Sequence, residues 1–295
     1  MKNKGLIITF IVILSLLCIL LILFMIGMLN KNVPFGTYRF LHRTSNELAL
    51  DEVYEDNYSS IRIDSDAAEI SIRYSEDDKV RLVIYGEKEN VSVRDASNEL
   101  KIQTQSNPCL FFCFDFRSSK IELFLPKEYD QKIEINNNYG NIEIDDFSNS
   151  TLIIEEDCGD VKIRGGREVK VSNNLGDIIV EKAFRVEIDE DAGNVKVGEI
   201  EDAIIKNSLG DIEVNTVNNS LDIQNDCGDI EIQNLNLKMD SYIKSSLGDI
   251  KIGNTNEIYM DAHVSLGDVR IRNNYHKSDI TLKITNDCGD IKVNN

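Results

Sequence analysis

Seven aspartates stand directly after a glycine: Asp160, Asp177, Asp211, Asp229, Asp249, Asp268 and Asp290, with Asn141 and Asn194 taking the same place in two further copies. Carboxylates recurring this way can do one of two things. They can share Ca²⁺ through oxygen ligands, or they can cap the turns they sit in by accepting backbone hydrogen bonds. Calcium-binding β-rolls are built from Gly-Gly-x-Gly-x-Asp nonapeptides, and none occurs here. Turn capping is therefore the expected role, and the column is a weak Ca²⁺ candidate only. Three histidines, His42, His263 and His276, are too few and too scattered for histidine-based catalysis or a His-rich metal site. His263 and His276 read as surface residues of the repeat loops. No acids cluster compactly with His, Lys or Arg, so no catalytic residue and no cofactor is assigned and the chain reads as a non-enzyme. A formal charge of −19 excludes a nucleic-acid-binding surface.

The six cysteines divide by context. Cys18 lies in an apolar run near the start, and Cys109 and Cys113 sit among Phe111, Phe112, Phe114 and Phe116. One Cys-x3-Cys pair without a second pair or histidines is no metal site. It fits a local disulfide or, as we expect, apolar filler. The Phe-rich segment 107–116 is apolar on both alternating faces. It is expected to cover the open first rung of the fold, where edge groups need protection, the alternative being an exposed partner-binding or membrane-touching patch. Cys158, Cys227 and Cys288 recur at equivalent repeat positions and read as small core residues.

The elements that position these residues come from a repeat. Gly140, Gly159, Gly176, Gly193, Gly210, Gly228, Gly248, Gly267 and Gly289 recur at spacings of 17 to 22 residues, at or just below the range of stacked repeats. Ile or Val stands two and four residues after every one, from Ile142 and Ile144 to Ile291 and Val293. β-Branched residues at i and i+2 specify one buried strand face. Apolar pairs seven and five residues upstream, such as Leu152/Ile154 and Val186/Ile188, mark a second strand. Each unit reads strand, glycine turn, strand and variable loop. Units this short bury a core only by stacking, so the fold class is all-β, a parallel β-solenoid of 17–22-residue coils with rungs ~4.8 Å apart.

Further columns follow from the stack. The third residue after each glycine points outward and pairs opposite charges in several adjacent rungs, as in Lys196 and Glu213. The residue before glycine alternates in size: Leu175, Leu209, Leu247 and Leu266 against Cys158, Ala192, Cys227 and Cys288. This alternation is expected to interdigitate inside the core, and whether one unit or two make a coil stays open. Counting one coil per unit, the three repeat cysteines lie ~14 Å or more apart, too far for a disulfide. The last unit is complete and is followed only by Asn294 and Asn295. Its rung, with the Ile291 and Val293 columns, is expected to end the stack. It would then either self-associate through an open edge or be protected by Lys292, Asn294 and Asn295.

Residues 6–29 are an apolar run of 24 residues, ~36 Å as a helix and enough to cross a ~30 Å hydrocarbon core. The run is too long for a signal-peptide core and lacks a small-x-small site after it. It therefore reads as a retained transmembrane signal anchor, and the membrane as the one partner the sequence names. Residues 1–5 form a short cytoplasmic tail, 30–57 a juxtamembrane spacer and 58–295 the solenoid, irregular over 58–132 and regular over 133–295. Basic residues flank the run almost equally; the short head favours the bulk lying outside the cytoplasm. The part after the anchor carries 51 acidic and 30 basic residues, hence −21, which keeps it soluble and off anionic lipid.

The Gly-Asp-Ile/Val-x-Ile/Val units, preceded by Leu123-Phe-Leu-Pro-Lys127, resemble the DUF4097 family of β-strand-repeat proteins, also described as candidate adhesins. The resemblance spans about residues 58–295. Ala68, standing where glycine would, and the segment 109–116 depart from the pattern. The resemblance implies a bacterial β-helix, often tethered to the membrane and in some members linked to cell-envelope stress systems, with no catalytic residues to carry over. The expected function is a membrane-anchored, extracytoplasmic, non-catalytic scaffold or interaction module with an unnamed protein or cell-wall partner. A surface adhesin or glycan-binding protein is the alternative, and a β-helix enzyme acting on polysaccharide ranks third.

Overall fold

The computed structural model describes residues 43–54, 58–96, 98–106 and 117–294. The expected anchor 6–29 and the Phe-rich segment with Cys109 and Cys113 lie outside the described residues. Among those described, no helix is long and apolar enough to cross a membrane.

The chain forms a parallel β-solenoid of about nine turns with coils of ~19 residues. Among the described residues, twenty-one strands make one sheet wound on itself. The first eight are β1 (Arg43–Thr44), β2 (Leu48–Tyr54), β3 (Ser60–Ser65), β4 (Ala68–Tyr74), β5 (Val80–Tyr85), β6 (Val91–Ala96), β7 (Glu99–Thr104) and β8 (Arg117–Leu125). The regular coils run through β9 (Lys132–Tyr139), β10 (Ile142–Cys158), β11 (Val161–Leu175), β12 (Ile178–Ala192), β13 (Val195–Leu209) and β14 (Ile212–Cys227). The stack is completed by β15 (Ile230–Leu235), β16 (Ser241–Leu247), β17 (Ile250–Thr255), β18 (Tyr259–Leu266), β19 (Val269–Ile271), β20 (Thr281–Cys288) and β21 (Ile291–Val293).

One glycine unit makes one coil, because units stacked on one another pair in parallel register: Ile178 opposite Val195, then Val195 opposite Ile212. The Ile/Val positions after the glycines and the apolar pairs before them face inward and are almost wholly buried, except in the terminal coil, where Val269 is exposed and Ala262 and Ile271 are half-buried. Each such side chain contributes roughly 1.5–3 kcal/mol of burial. Identical residue types stacked rung on rung let β-branched side chains pack in columns, which accounts for Ile and Val dominating the interior.

At both ends, coil order in space differs from order in sequence. β16–β17 pairs not with β18–β19 but with β20–β21, and β18–β19 pairs on the far side of β20–β21. The C-terminal coil is thus internal, and the coil from Tyr259 to Ile271 ends the stack. This corrects the expectation that Ile291 and Val293 present an open rung available for self-association. Ile291 and Val293 are both buried, and β21 has a neighbour on each side. The true terminal rung is partly covered by its own loop, where Asn274 Nδ2 donates to the Met260 carbonyl and its Oδ1 accepts the Met260 N–H.

The other end mirrors this. β3–β4 lies between β7–β8 and β9–β10, although β7–β8 comes later in sequence. Antiparallel strands close the first coil: β6 adds to β7, and β5 and then β2 add to β8. Residues 48–54, placed in the spacer by the sequence reading, therefore form a strand of this cap. The Arg81 guanidinium, paired to both Asp51 carboxylate oxygens at 2.9 and 2.8 Å, ties β2 to β5. Ala68 does occupy the glycine column, since a Cβ on Gly140 would lie 2.1 Å from the Ala68 carbonyl oxygen.

The internal position of the last coil is measurable by hydrogen exchange. Amides of β20 should exchange more slowly than those of β18, because β20 has a strand on each side while β18 has one on only one side. Faster exchange in Thr281–Cys288 than in Tyr259–Leu266 would restore stacking in sequence order.

Candidate interaction surface

The corner of each coil is built from three residue columns. The glycines form the first. Gly210 has φ +138, and a Cβ there would lie 2.0 Å from the Gly193 carbonyl oxygen; at Gly193, whose φ is outside the left-handed region, the corresponding distance is 1.7 Å to Gly176. Close approach of successive backbones is the requirement common to both, with positive φ added in most coils.

The aspartates form the second column, and their bonds run between coils rather than within a turn. Asp177 N–H donates to Asp160 Oδ1 at 2.9 Å, Asp229 N–H to Asp211 Oδ1 at 2.8 Å and Asp249 N–H to Asp229 Oδ1 at 2.8 Å. The ladder ends Asp249, Asp290, Asp268, in spatial order. Asn194 Oδ1 accepts the Asp211 N–H at 3.0 Å in the same way. An amide oxygen serves as well as a carboxylate, so the role requires an acceptor and not a charge. Among the described residues, no three His, Cys, Asp or Glu side chains converge as a metal site.

The third column, three residues before glycine, was not anticipated from the sequence. Asn137, Glu156, Asn173, Glu190, Asn207, Asn225, Ser245 and Asn286 are all buried at the corner. Their amides donate to glycine carbonyls: Asn173 to Gly159, Asn207 to Gly193, Asn225 to Gly210 and Asn286 to Gly248. Glu156 replaces an amide; it accepts from Asn137 Nδ2 at 2.8 Å and from the Cys158 N–H at 3.3 Å. Burial pushes its carboxyl up to about 8, against the pull of those two bonds. Burial likewise pushes Glu190 up to about 7, opposed by Asn173 and the Ala192 N–H. The recurring Asn or Glu three residues before glycine was the available signal.

The alternating large and small residues lie outside the core, which corrects the expectation that they fill it. Leu175, Leu209, Leu247 and Leu266 are between 53% and 70% exposed, and Tyr139 is 52% exposed. Strand alternation would turn them inward, as it does residues three and five before glycine. The glycine turn instead bends the chain across the end of the core, and the side chain before it falls beyond the corner. Cys158 is half-buried; Cys227 and Cys288 are exposed, and all three are free thiols. In spatial order the stripe reads Tyr139, Cys158, Leu175, Ala192, Leu209, Cys227, Leu247, Cys288, Leu266. Large and small alternate without a break only because the last two coils exchange places.

The column three residues after glycine points outward as expected. Lys196 Nζ meets Glu213 Oε2 at 2.7 Å, both well exposed, a pair worth at most ~1 kcal/mol. At the far end Lys251, Lys292 and Arg270 stack as three cations in successive coils. Gly198 lacks a side chain on this face and leaves an open trough of about 840 Å³ flanked by Lys162, Lys196, Glu213 and Glu231. His263 is exposed on β18, and His276 lies against Tyr259 with ring centres 5.3 Å apart.

The sequence model described as Toastrack DUF4097 matches residues 58–183 and again 178–295. No curated protein matches the chain. Among solved structures the chain is similar to a candidate adhesin of Bacteroides fragilis, at 16% identity over 85% of this chain and 99% of that one, TM-score 0.35. It is also similar to a candidate adhesin of Parabacteroides merdae, at 14% identity over 85% and 98%, TM-score 0.43. A candidate lipid-binding protein of Parabacteroides distasonis is similar at 16% identity over 85% and 99%, TM-score 0.43.

Two predictions come from the buried and capping columns. Both glutamates have raised folded-state pKa values, so folding selects their protonated forms. Their contribution is complete below the unfolded value near 4.5 and is lost as pH rises through about 7 and about 8. Urea unfolding at pH 5.5 and 8.5 should show that Glu156→Gln with Glu190→Gln flattens the decline seen in the wild type; an unchanged slope would show that both are ionised throughout. For the second column, Asp211→Asn should leave the thermal midpoint unchanged, and Asp211→Ala should lower it by about 2–4 °C for ~1 kcal/mol lost. Ca²⁺ or chelator should move neither midpoint. A rise of many degrees with Ca²⁺ would instead assign the carboxylates to a cation ladder.

Proposed function

Because the chain belongs to the Toastrack DUF4097 family, with matches that together span residues 58–295, we propose that it is a non-catalytic β-solenoid interaction module of the bacterial cell envelope. In this reading residues 6–29 anchor it in the membrane as a single-pass helix, residues 1–5 face the cytoplasm, and residues 58–295 stand outside as a rod. The observation that carries the reading is the exposed stripe of Tyr139, Leu175, Leu209, Leu247 and Leu266. Large apolar side chains aligned over the length of a solenoid cost solubility unless something docks on them. The surplus of acidic charge keeps the rod off anionic lipid, which suits display away from the bilayer. The link of some family members to envelope stress fits a tethered module whose output is a contact.

A surface adhesin or glycan-binding protein is the second reading. Glycan recognition favours exposed aromatics gathered on one face. The exposed aromatic side chains among the described residues, Tyr139, Phe184 and Tyr275, fall in different columns, which ranks this reading below the first.

Fractionation and surface labelling of cells expressing the full chain test the proposal. The chain should stay with the membrane at alkaline pH, deletion of 6–29 should release it, and a membrane-impermeant amine reagent should label Lys196 and Lys238 in intact cells. Labelling only after permeabilisation would place the rod inside and overturn the topology.

A further inference from the structure

We propose that the corner stripe is a self-association surface on which a second copy of this chain docks antiparallel, offset so that the leucines of each copy enter the gaps of the other. The inference rests on reading the stripe as an interaction surface and names its occupant.

Two columns argue for a second copy. The first is the stripe, where large residues stand two coils apart, ~9.6 Å at a rung spacing of ~4.8 Å, with Cys or Ala between them. A ridge-and-gap comb of this kind is complementary to itself when shifted by one coil. The second is the column one residue closer to the amino terminus, which alternates in the same phase. Asp157, Asp191, Asp226 and Asp287 accompany the small residues, and Asn174, Ser208, Ser246 and Ser265 accompany the leucines. Placing every leucine opposite a gap therefore also places every one of these aspartates opposite a neutral hydrogen-bonding side chain. Size and charge select the same offset independently.

Symmetry then restricts the geometry. A two-fold axis along the rod would set identical coils face to face, with leucine on leucine. An axis across the rod, passing between two adjacent coils, pairs unlike coils, and the resulting interface is isologous. Placed between the coils of Leu209 and Cys227, it sets Leu209 against Cys227 of the partner subunit and Leu247 against the partner's Ala192. The outer pairs are Leu175 with the partner's Cys288 and Leu266 with the partner's Cys158. All four leucines are used, and Leu266, the most exposed at 70%, is covered. Asp226 faces Ser208 of the partner subunit, and the other three aspartates face Ser or Asn. The outer Asp ladder stays negative on both copies, so association should strengthen with ionic strength as that repulsion is screened.

The test uses the full chain in detergent and in its own membrane. Sedimentation should give a dimer that tightens from low to moderate salt, and Leu209→Ser with Leu247→Ser should weaken it at least about tenfold. A second variant, Cys158→Ser with Leu175→Cys, reads the register by mild oxidation and peptide mapping. The thiol introduced at position 175 lies five coils from Cys288 in its own chain, ~24 Å and beyond disulfide reach, so a bond to Cys288 forms only between copies and is the expected product. A bond from position 175 to Cys227 would overturn the register, and a bond between two copies of position 175 would overturn the antiparallel arrangement. A wild-type chain that stays monomeric at every concentration and salt would overturn the proposal. So would a stripe whose Cys227 is shielded from maleimide only in phosphatidylglycerol–phosphatidylethanolamine vesicles. Neither result would alter the topology read by fractionation and amine labelling.

Discussion

The structure depends on how closely one coil can approach the next at its corner. Where the chain turns, the backbone of each coil lies against the glycine carbonyl of its neighbour, with no room for a Cβ. A side chain there would force the coils apart and break the parallel ladder on both sides of the corner. With the glycine column in place, the remaining groups at the corner have fixed tasks. The outer residue after glycine reaches along the stack to the next N–H, and the buried residue three before glycine returns its amide to a glycine carbonyl. Backbone groups that a sharp bend would leave unpaired are satisfied by side chains of adjacent coils.

Among the described residues, the same corner carries a regular column of buried polar side chains. Most coils use a neutral amide there, and two use a glutamate whose burial holds the proton on. Several amide oxygens of this column, those of Asn173, Asn207, Asn225 and Asn286, find no partner among the described residues, and neither does Glu190 Oε2. An unpaired buried acceptor costs ~1–3 kcal/mol. The rod offsets this with its continuous Ile and Val columns. Polar groups at fixed heights also oppose slippage of one coil past another, since a displaced amide would lose its carbonyl.

Exchange of coil order at each end changes how the stack stops. A solenoid whose last coil is last in sequence can fray from its terminus one rung at a time. Here each terminal segment of the repeat lies one coil inward, beneath a coil that is nearer the chain's middle in sequence. The outer coil cannot leave without uncovering the inner one, and at the amino-terminal end antiparallel strands extend the first coil further. The exchange also decides surface chemistry. It restores the large–small alternation of the stripe.

Much of this was present in the residues. The coil period follows from the glycine spacing and the buried face from Ile or Val at all eighteen positions after glycine, because packing against identical neighbours admits little else. The outward charges were legible for the same local reason, whereas the Asp side chains cap the corner of the adjacent coil and not the turn they sit in, which spacing along one unit does not show. Even the coil exchange left a trace: the size alternation read in sequence order breaks at Leu247 and Leu266, two leucines in succession, before Cys288. Tertiary structure alone decided which side of the corner those residues occupy. Strand alternation assigns them inward, but the glycine turn carries them past the end of the core. Only the assembled stack decided which coil neighbours which. Every coil offers nearly the same buried face, so local preference cannot rank its partners, and the choice falls to loop reach and to the fit of columns that exist only once the coils are together.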